Sequence, residues 1–407
     1  MMSRTRVESR YRGSELRTEV LASPDELTRH RKAWLDLLER SLSNELTLSP
    51  SWLLSWWNVF GPLGRRQLRA CLFWEGTRLV GLVPLLRRWY LARSGVPFER
   101  LELVGTGEPQ EHEICSHYVG VIAERGHEEA VATSLARLLA RGKLGRWDEL
   151  RLASLDLSIP IAKRLEEALR EAGLPARLVP DAGSPYIPLP ASFDAYLAAL
   201  PGPGRYFVRR SLRDFEAWAG DRVRFHRVET AADLARGMQV LMQLHAARWQ
   251  HEGREGAFAS PLFRAFHEAV MPELLARGVL DLRWMTVGDQ PLAAIYNLVW
   301  QDGVQCYQSG RTMDVPKGVR PGIVLHVNAI RSAMEAGLAE YDFLAGDTQY
   351  KRQLSLATRP TGHLVVEPWG LRRAVHQGIS QAFQWWKARR ALPAPPPSAQ
   401  TADPGER

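Results

Sequence analysis

Lys317-Gly-Val-Arg-Pro-Gly322 is the stretch of this chain best suited to hold an anion. Two glycines let a backbone approach closely, Lys317 and Arg320 add full charges, and Pro321-Gly322 suits the opening of a helix. A helix N-terminus presents unpaired N–H groups and a partial positive charge, which is a phosphate site. Downstream stand Asp342, Asp347, Tyr350 and Lys351. Asp342 reads as a carboxylate that takes a proton from an amine through water, or as a strand-end salt bridge or cap. Tyr350 is placed to protonate a leaving thiolate, and Lys351 to hold an anionic group of an acceptor. Asp347 follows Gly346 and is equally a turn former. Upstream, His245 and Arg248 lie one helical turn apart; the histidine reads as a general base or as a satisfied structural residue. Arg205, Arg209 and Arg213 recur every four residues with Arg210 beside them, a basic stripe of about 12 Å. It suits a polyanionic acceptor, or it is a solvated face. The segment Glu108 to His117 has no second cluster to complete a metal shell, so we expect no metal and read it as a polar loop lining a cleft.

The elements that must position these groups are legible around them. Val279 to Val287 has strand composition, Leu292 to Trp300 follows the turn Gly288-Asp289, and Val304 to Ser309 follows Asp302-Gly303. After the basic loop, Ile323, Val327, Ile330 and Met334 recur at helical spacing up to Gly337, and a last strand carries Tyr341 to Leu344. Three antiparallel strands, a glycine-containing basic loop, a helix and one more strand point to an acyl-CoA-type donor site.

The same order recurs earlier. Leu48-Ser-Pro-Ser-Trp52 matches Ala259-Ser-Pro-Leu-Phe263, the turn at Gly76 matches that at Gly288, and Trp147-Asp148 echoes Tyr341-Asp342, at nearly equal spacing. In the first half, however, the helix opens on Glu124-Arg-Gly-His-Glu-Glu129. Those carboxylates would repel a pyrophosphate, which assigns the phosphorylated donor to the second half. The expected divisions are a loose basic arm over 1–16, a first half over 17–180, a second over 181–366, an amphipathic basic helix over 367–390 and a disordered tail over 391–407. The helix is expected to dock on the body rather than on a membrane surface through 368–390. Net charge is +8, with 45 acidic against 53 basic residues, so the excess is diluted and argues mildly for anionic ligands. Three scattered cysteines fit a reducing compartment, and with no apolar leader or spanning run the chain reads as cytoplasmic.

Leu244-His245-Ala-Ala-Arg248-Trp249, Gly288-Asp-Gln-Pro-Leu-Ala-Ala, Tyr307-Gln-Ser-Gly310, Arg320-Pro-Gly322 and Tyr341-Asp-Phe-Leu-Ala-Gly-Asp347 with Tyr350-Lys351 resemble the CelD/BioF-like acetyltransferases of the GNAT superfamily. These are relatives of the Fem peptidyltransferases and are associated with bacterial exopolysaccharide operons. The match covers about residues 185 to 355; the basic loop departs from the usual Gln/Arg-x-x-Gly-x-Gly/Ala signature. The resemblance implies an α+β fold of two tandem GNAT-like halves, each a mixed, largely antiparallel sheet flanked by helices. It implies acetyl-CoA or another acyl-CoA as co-substrate, with pantetheine near Tyr307, Gln308 and Ser309 and pyrophosphate at Lys317, Gly318, Val319, Arg320 and Gly322. Asp342, Tyr350 and His245 would carry chemistry, and Arg248, Lys351, Asp347, Arg209 and Arg213 would bind the acceptor, a small molecule or amino sugar. The Fem relationship keeps an aminoacyl-tRNA donor as the alternative. A scaffold or regulator of a polysaccharide synthase, without turnover, is the other.

Overall fold

A computed structural model describes residues 16–381 except 93, 347, 369, 371, 373, 377 and 380. Asp347, the tail and almost all of the N-terminal arm lie outside the described residues, as does the end of the expected C-terminal helix. The described strands form two sheets.

The first contains β1 (Arg17–Leu21), β2 (Gln67–Glu75), β3 (Arg78–Leu91), β4 (Pro97–Leu103), β5 (Ile122–Ala123), β6 (Glu149–Asp156) and β7 (Ala176–Pro180). The second contains β8 (Ser184–Pro188), β9 (Val223–Arg227), β10 (Leu280–Val287), β11 (Gln290–Trp300), β12 (Gly303–Arg311), β13 (Glu340–Asp342) and β14 (Ala357–Arg359). The last strand, β15 (Thr361–Val366), returns to the first sheet between β6 and β7. The strand orders are β1-β2-β3-β4-β6-β15-β7, with β5 beside β3, and β14-β8-β13-β12-β11-β10-β9. The expected second half over 181–366 is therefore corrected at its end: Thr361–Val366 pair with the first sheet. The alternation of Leu364 and Val366 fits either sheet, and sequence carries no pairing partner.

The helices are α1 (Pro24–Arg29), α2 (Arg31–Glu39), α3 (Pro50–Phe60), α4 (Glu128–Ala140) and α5 (Ile161–Glu171) in the first half. In the second they are α6 (Phe193–Ala199), α7 (Gly202–Ala219), α8 (Ala231–His251), α9 (Pro261–Ala276), α10 (Pro321–Glu335) and α11 (Gln349–Leu354). The duplication is explicit in the topology. Antiparallel β2-β3-β4, then α4, then β6 parallel to β4 repeats as antiparallel β10-β11-β12, then α10, then β13 parallel to β12. α3 and α9 open alike: Ser49 and Ser260 accept from the backbone N–H groups of Trp52 and Phe263, and proline follows each cap. Trp52 and Phe266, edge to face at 4.9 Å, join these helices across the halves.

Two features of the second sheet create a site. Tyr296 pairs with Gln308 and Asn297 with Cys306, so Tyr307 is the extra residue of a β-bulge. Parallel pairing of β12 with β13 lasts from Gly303↔Glu340 to Gln305↔Asp342, after which the chain leaves for β8, the Phe343 N–H donating to the Pro185 carbonyl. Among the described residues β12 continues to Arg311 paired with β11 only, and the divergence on its other side opens the sheet.

Candidate active site

Ser309, Gly310 and Arg311 from the open end of β12 face the start of α10 across a cavity of about 570 Å³. α10 begins at Pro321 with Arg320 as its cap residue, no side chain closing its first turn and no acid in it. The loop before it contributes Gly318, whose φ of 99° requires glycine, and Val319; Arg320 donates back to the Gly318 carbonyl at 2.9 Å and lies over the Phe207 ring. The twin helix α4 opens on Glu128 and Glu129. The two helix starts thus carry opposite chemistry.

The other wall is α8 and α11. Arg248 lines the cavity and pairs with Glu252 at 3.7 Å. Tyr350, on α11, stacks on His326 at 5.3 Å and hydrogen-bonds Ser309. Burial pushes its phenol well up, so it stays protonated at neutral pH. Lys351 donates to the Leu344 and Ala345 carbonyls at 3.2 and 2.7 Å, and burial pushes its ammonium down. The cavity therefore gathers seven expected residues: Arg248, Ser309, Gly318, Val319, Arg320, Gly322 and Tyr350.

Others fall elsewhere. Asp342 is fully buried: Oδ2 accepts Tyr118 Oη at 2.7 Å and Arg359 at 2.9 Å, and Oδ1 accepts the Leu344 N–H at 2.7 Å. With both oxygens engaged and no water-accessible face, the carboxylate is a structural hub; the expectation of a water-assisted base is corrected to the salt-bridge alternative. Burial raises its pKa to about 6, against the lowering pull of Arg359 and Tyr118. His245 is likewise corrected to a structural residue. Its Nε2 accepts the Trp249 indole N–H at 3.0 Å, Phe258 packs edge-on, and burial pushes the ring down to about 4. Tyr307 is buried in an aromatic cluster with His267, Tyr296 and Trp52, its hydroxyl on the Ile114 carbonyl, so its side chain does not contact a donor. Gln308 sits beside His245 and Lys317 is exposed; neither lines the cavity. Arg209 and Arg213 are exposed on α7. The basic stripe is broken: Asp214 takes Arg210 and Arg213 at 3.1 and 3.2 Å, and Arg205 binds the Ala198 and Leu200 carbonyls.

Sequence reasoning missed Arg311, Phe207, His326 and Arg359. Arg311 was findable, two residues beyond Ser309 on the same strand face. Arg359 was not, because its partners Asp342, Glu340 and the rings of Tyr118 and Tyr186 are assembled from both halves.

The family model for the acetyltransferase (GNAT) domain matches residues 204–352. Among solved structures the chain is similar to FemX, with a TM-score of 0.58 at 10% identity over 90% of this chain and 100% of that one. It is also similar to a conserved protein of unknown function from Bacteroides thetaiotaomicron VPI-5482, with a TM-score of 0.51 at 13% identity over 84% and 97%. At such identities the likeness is one of fold. No curated protein matches the chain. The uncapped helix start, the bulged and diverging strands and the family match converge: this chain carries a GNAT-superfamily acetyltransferase-like domain, related in fold to the Fem proteins.

Proposed function

We propose that the chain is an N-acyltransferase that moves an acyl group, acetyl in the simplest case, from acyl-CoA to an amine of a polar metabolite or amino sugar in exopolysaccharide or cell-envelope metabolism. The observation that carries this reading is the cavity itself. It joins an uncapped helix start and the cations Arg248, Arg311 and Arg320, which suit phosphates, to a protonated phenol at the open strand edge. Residues Gly318–Gly322 would take the pyrophosphate, and the backbone around the Tyr307 bulge would supply N–H groups to the thioester carbonyl. The amine attacks that carbon, and Tyr350 protonates the departing thiolate. In this reading Lys351 would hold an anionic group of the acceptor, and the first half over 17–180 would form the acceptor side, in the cytoplasm.

The loss of Asp342 as base does not weaken this reading, since a thioester attacked by a neutral amine needs proton removal after, rather than before, C–N bond formation. An aminoacyl-tRNA donor is the second reading, favoured by fold likeness along the whole length of FemX. Against it, Asp214 pairs with Arg210 and Arg213, which weakens the phosphate track that such a donor would use on α7. The C-terminal segment supports docking on the body: Arg372 pairs with Asp148 at 2.8 Å and His376 with Ser94 at 2.7 Å.

Titration calorimetry with acetyl-CoA, CoA and tRNA tests the choice. Acetyl-CoA and CoA bind and Arg320→Glu weakens both. Absence of CoA binding with retained tRNA binding refutes the acyl-CoA reading. Binding without turnover over a broad panel of amines favours the scaffold.

A further inference from the structure

A chain of buried polar side chains crosses the second sheet and ends in the donor cavity. It starts at Asp281 on β10, whose carboxylate accepts the Arg283 Nε–H at 2.8 and 2.9 Å and pairs with Arg227 at 2.8 Å. Asn297 on β11 donates its amide Nδ2–H to Asp281 Oδ2 at 3.0 Å. A carboxylate paired in this way only accepts, so the amide is fixed with Oδ1 turned away from it. There the Tyr341 hydroxyl of β13 donates to Asn297 Oδ1 at 3.4 Å. The Cys306 thiol also touches this hydroxyl, but burial pushes it up to about 11, so it stays protonated and is the poorer acceptor. With its proton committed to Asn297, Tyr341 Oη accepts from His326 Nδ1, 3.2 Å away on α10. The three side chains thus set the tautomer of the fourth: Nδ1 carries the proton and Nε2 the lone pair.

That lone pair belongs to the cavity. His326 lines it, its ring stacked on Tyr350 at 5.3 Å. Among the described residues nothing bonds Nε2, and it is not sealed in the core as His267 Nδ1 is. The groups that share the cavity with it are rich in donors: the guanidiniums of Arg248, Arg311 and Arg320 and the Tyr350 phenol. Glu252 is turned to Arg248. Burial, and then the charges of Lys351 and Arg248, hold the imidazole down at about 3, so it is neutral at physiological pH. A phosphate or carboxylate oxygen brought to Nε2 would meet a lone pair. An N–H would satisfy it.

We propose that His326 Nε2 accepts a hydrogen bond from an amide N–H of the pantetheine arm, and so selects amide-bearing thioester donors at this cavity. The assignment rests on the acyl-CoA reading above. The place of the residue on α10 fits the arm. His326 lies about 7.5 Å along the helix from Pro321, where the pyrophosphate would sit, and against the phenol that would meet the thiolate. The stretch of CoA between those two ends carries its amide groups. An imidazole held this far down is a weak base, so the residue binds and orients the donor and moves no proton.

The test compares two ligands in the full chain: acetyl-CoA, which carries the arm, and ADP, which carries only the phosphate end. His326→Phe keeps a ring against Tyr350 and removes the lone pair. Calorimetry should show acetyl-CoA weakened at least about fivefold in this variant, the loss of one buried hydrogen bond, with ADP, read by displacement, within about twofold. His326→Gln, whose amide oxygen can stand near the place of Nε2, should recover part of the loss. In the parent labelled with nitrogen-15 histidine, the His326 Nε2 resonance, identified by its absence from His326→Gln, should be that of an unprotonated ring nitrogen. It should move with acetyl-CoA and not with ADP. Equal weakening of both ligands marks a merely structural ring and overturns the assignment, as does His326→Phe binding acetyl-CoA like the parent. A protonated Nε2 in the neutral parent ring overturns it whatever the variants do. Failure of the parent to bind acetyl-CoA at all is read first, in the same calorimeter, and removes the donor reading together with this one.

Discussion

Arg359→Met is the substitution with the largest expected effect away from the cavity. The guanidinium bonds Asp342 at 2.9 Å and Glu340 at 2.6 Å and lies between the rings of Tyr118 and Tyr186, 5.1 Å from each. Methionine keeps much of the volume and removes the charge, leaving Asp342 fully buried beside a second acid, Glu340. Removing one member of a buried pair costs about 3–5 kcal/mol, because the other charge is left uncompensated. The cost must depend on pH. With Arg359 present, Asp342 already titrates at about 6 against 3.8 unfolded, and without Arg359 it moves higher. A folded pKa above the unfolded one means that the folded state holds the proton, so stability falls as pH rises from about 4 through the folded value, by about 1.4 kcal/mol per unit. The variant's fall extends to higher pH than the parent's. Urea unfolding at pH 5 and pH 8 should therefore show a markedly smaller loss at pH 5. Adding Asp342→Asn should recover part of the loss at pH 8. A loss below about 1 kcal/mol, or one equal at the two pH values, would show that Asp342 is not held ionised by Arg359 and refute the reasoning.

Glu45 offers a second pH signature: burial raises it to about 8, and its Oε2 accepts the Gln305 amide at 2.7 Å. Glu45→Gln, which mimics the protonated acid, should flatten the decline of stability between about pH 4.5 and 8; identical slopes in parent and variant count against a protonated Glu45. Gly310→Ala should destabilise by about 1–3 kcal/mol or more in urea, since a Cβ there would stand 2.3 Å from the His245 backbone nitrogen. A neutral result would mean that α8 does not press on β12. Tyr350→Phe should lower kcat by about 10²-fold with acetyl-CoA affinity little changed, and an unaltered rate would exclude the phenol as the acid.

How much of this was legible follows from the range of each interaction. The helical period from Ile323 to Met334, the turns at Gly288 and Gly303, the acidic opening of α4 and the cationic opening of α10 are local. They depend on a few neighbouring residues, and the sequence by itself determined them. The duplicated order of strands and helices was visible for the same reason. Two outcomes belong to the tertiary structure. Asp342 is an unremarkable strand acid until Arg359 and Tyr118, 17 residues after and 224 before it, close over its Oδ2. Thr361–Val366 has a strand's composition in either sheet, and pairing with β6 and β7 decides which.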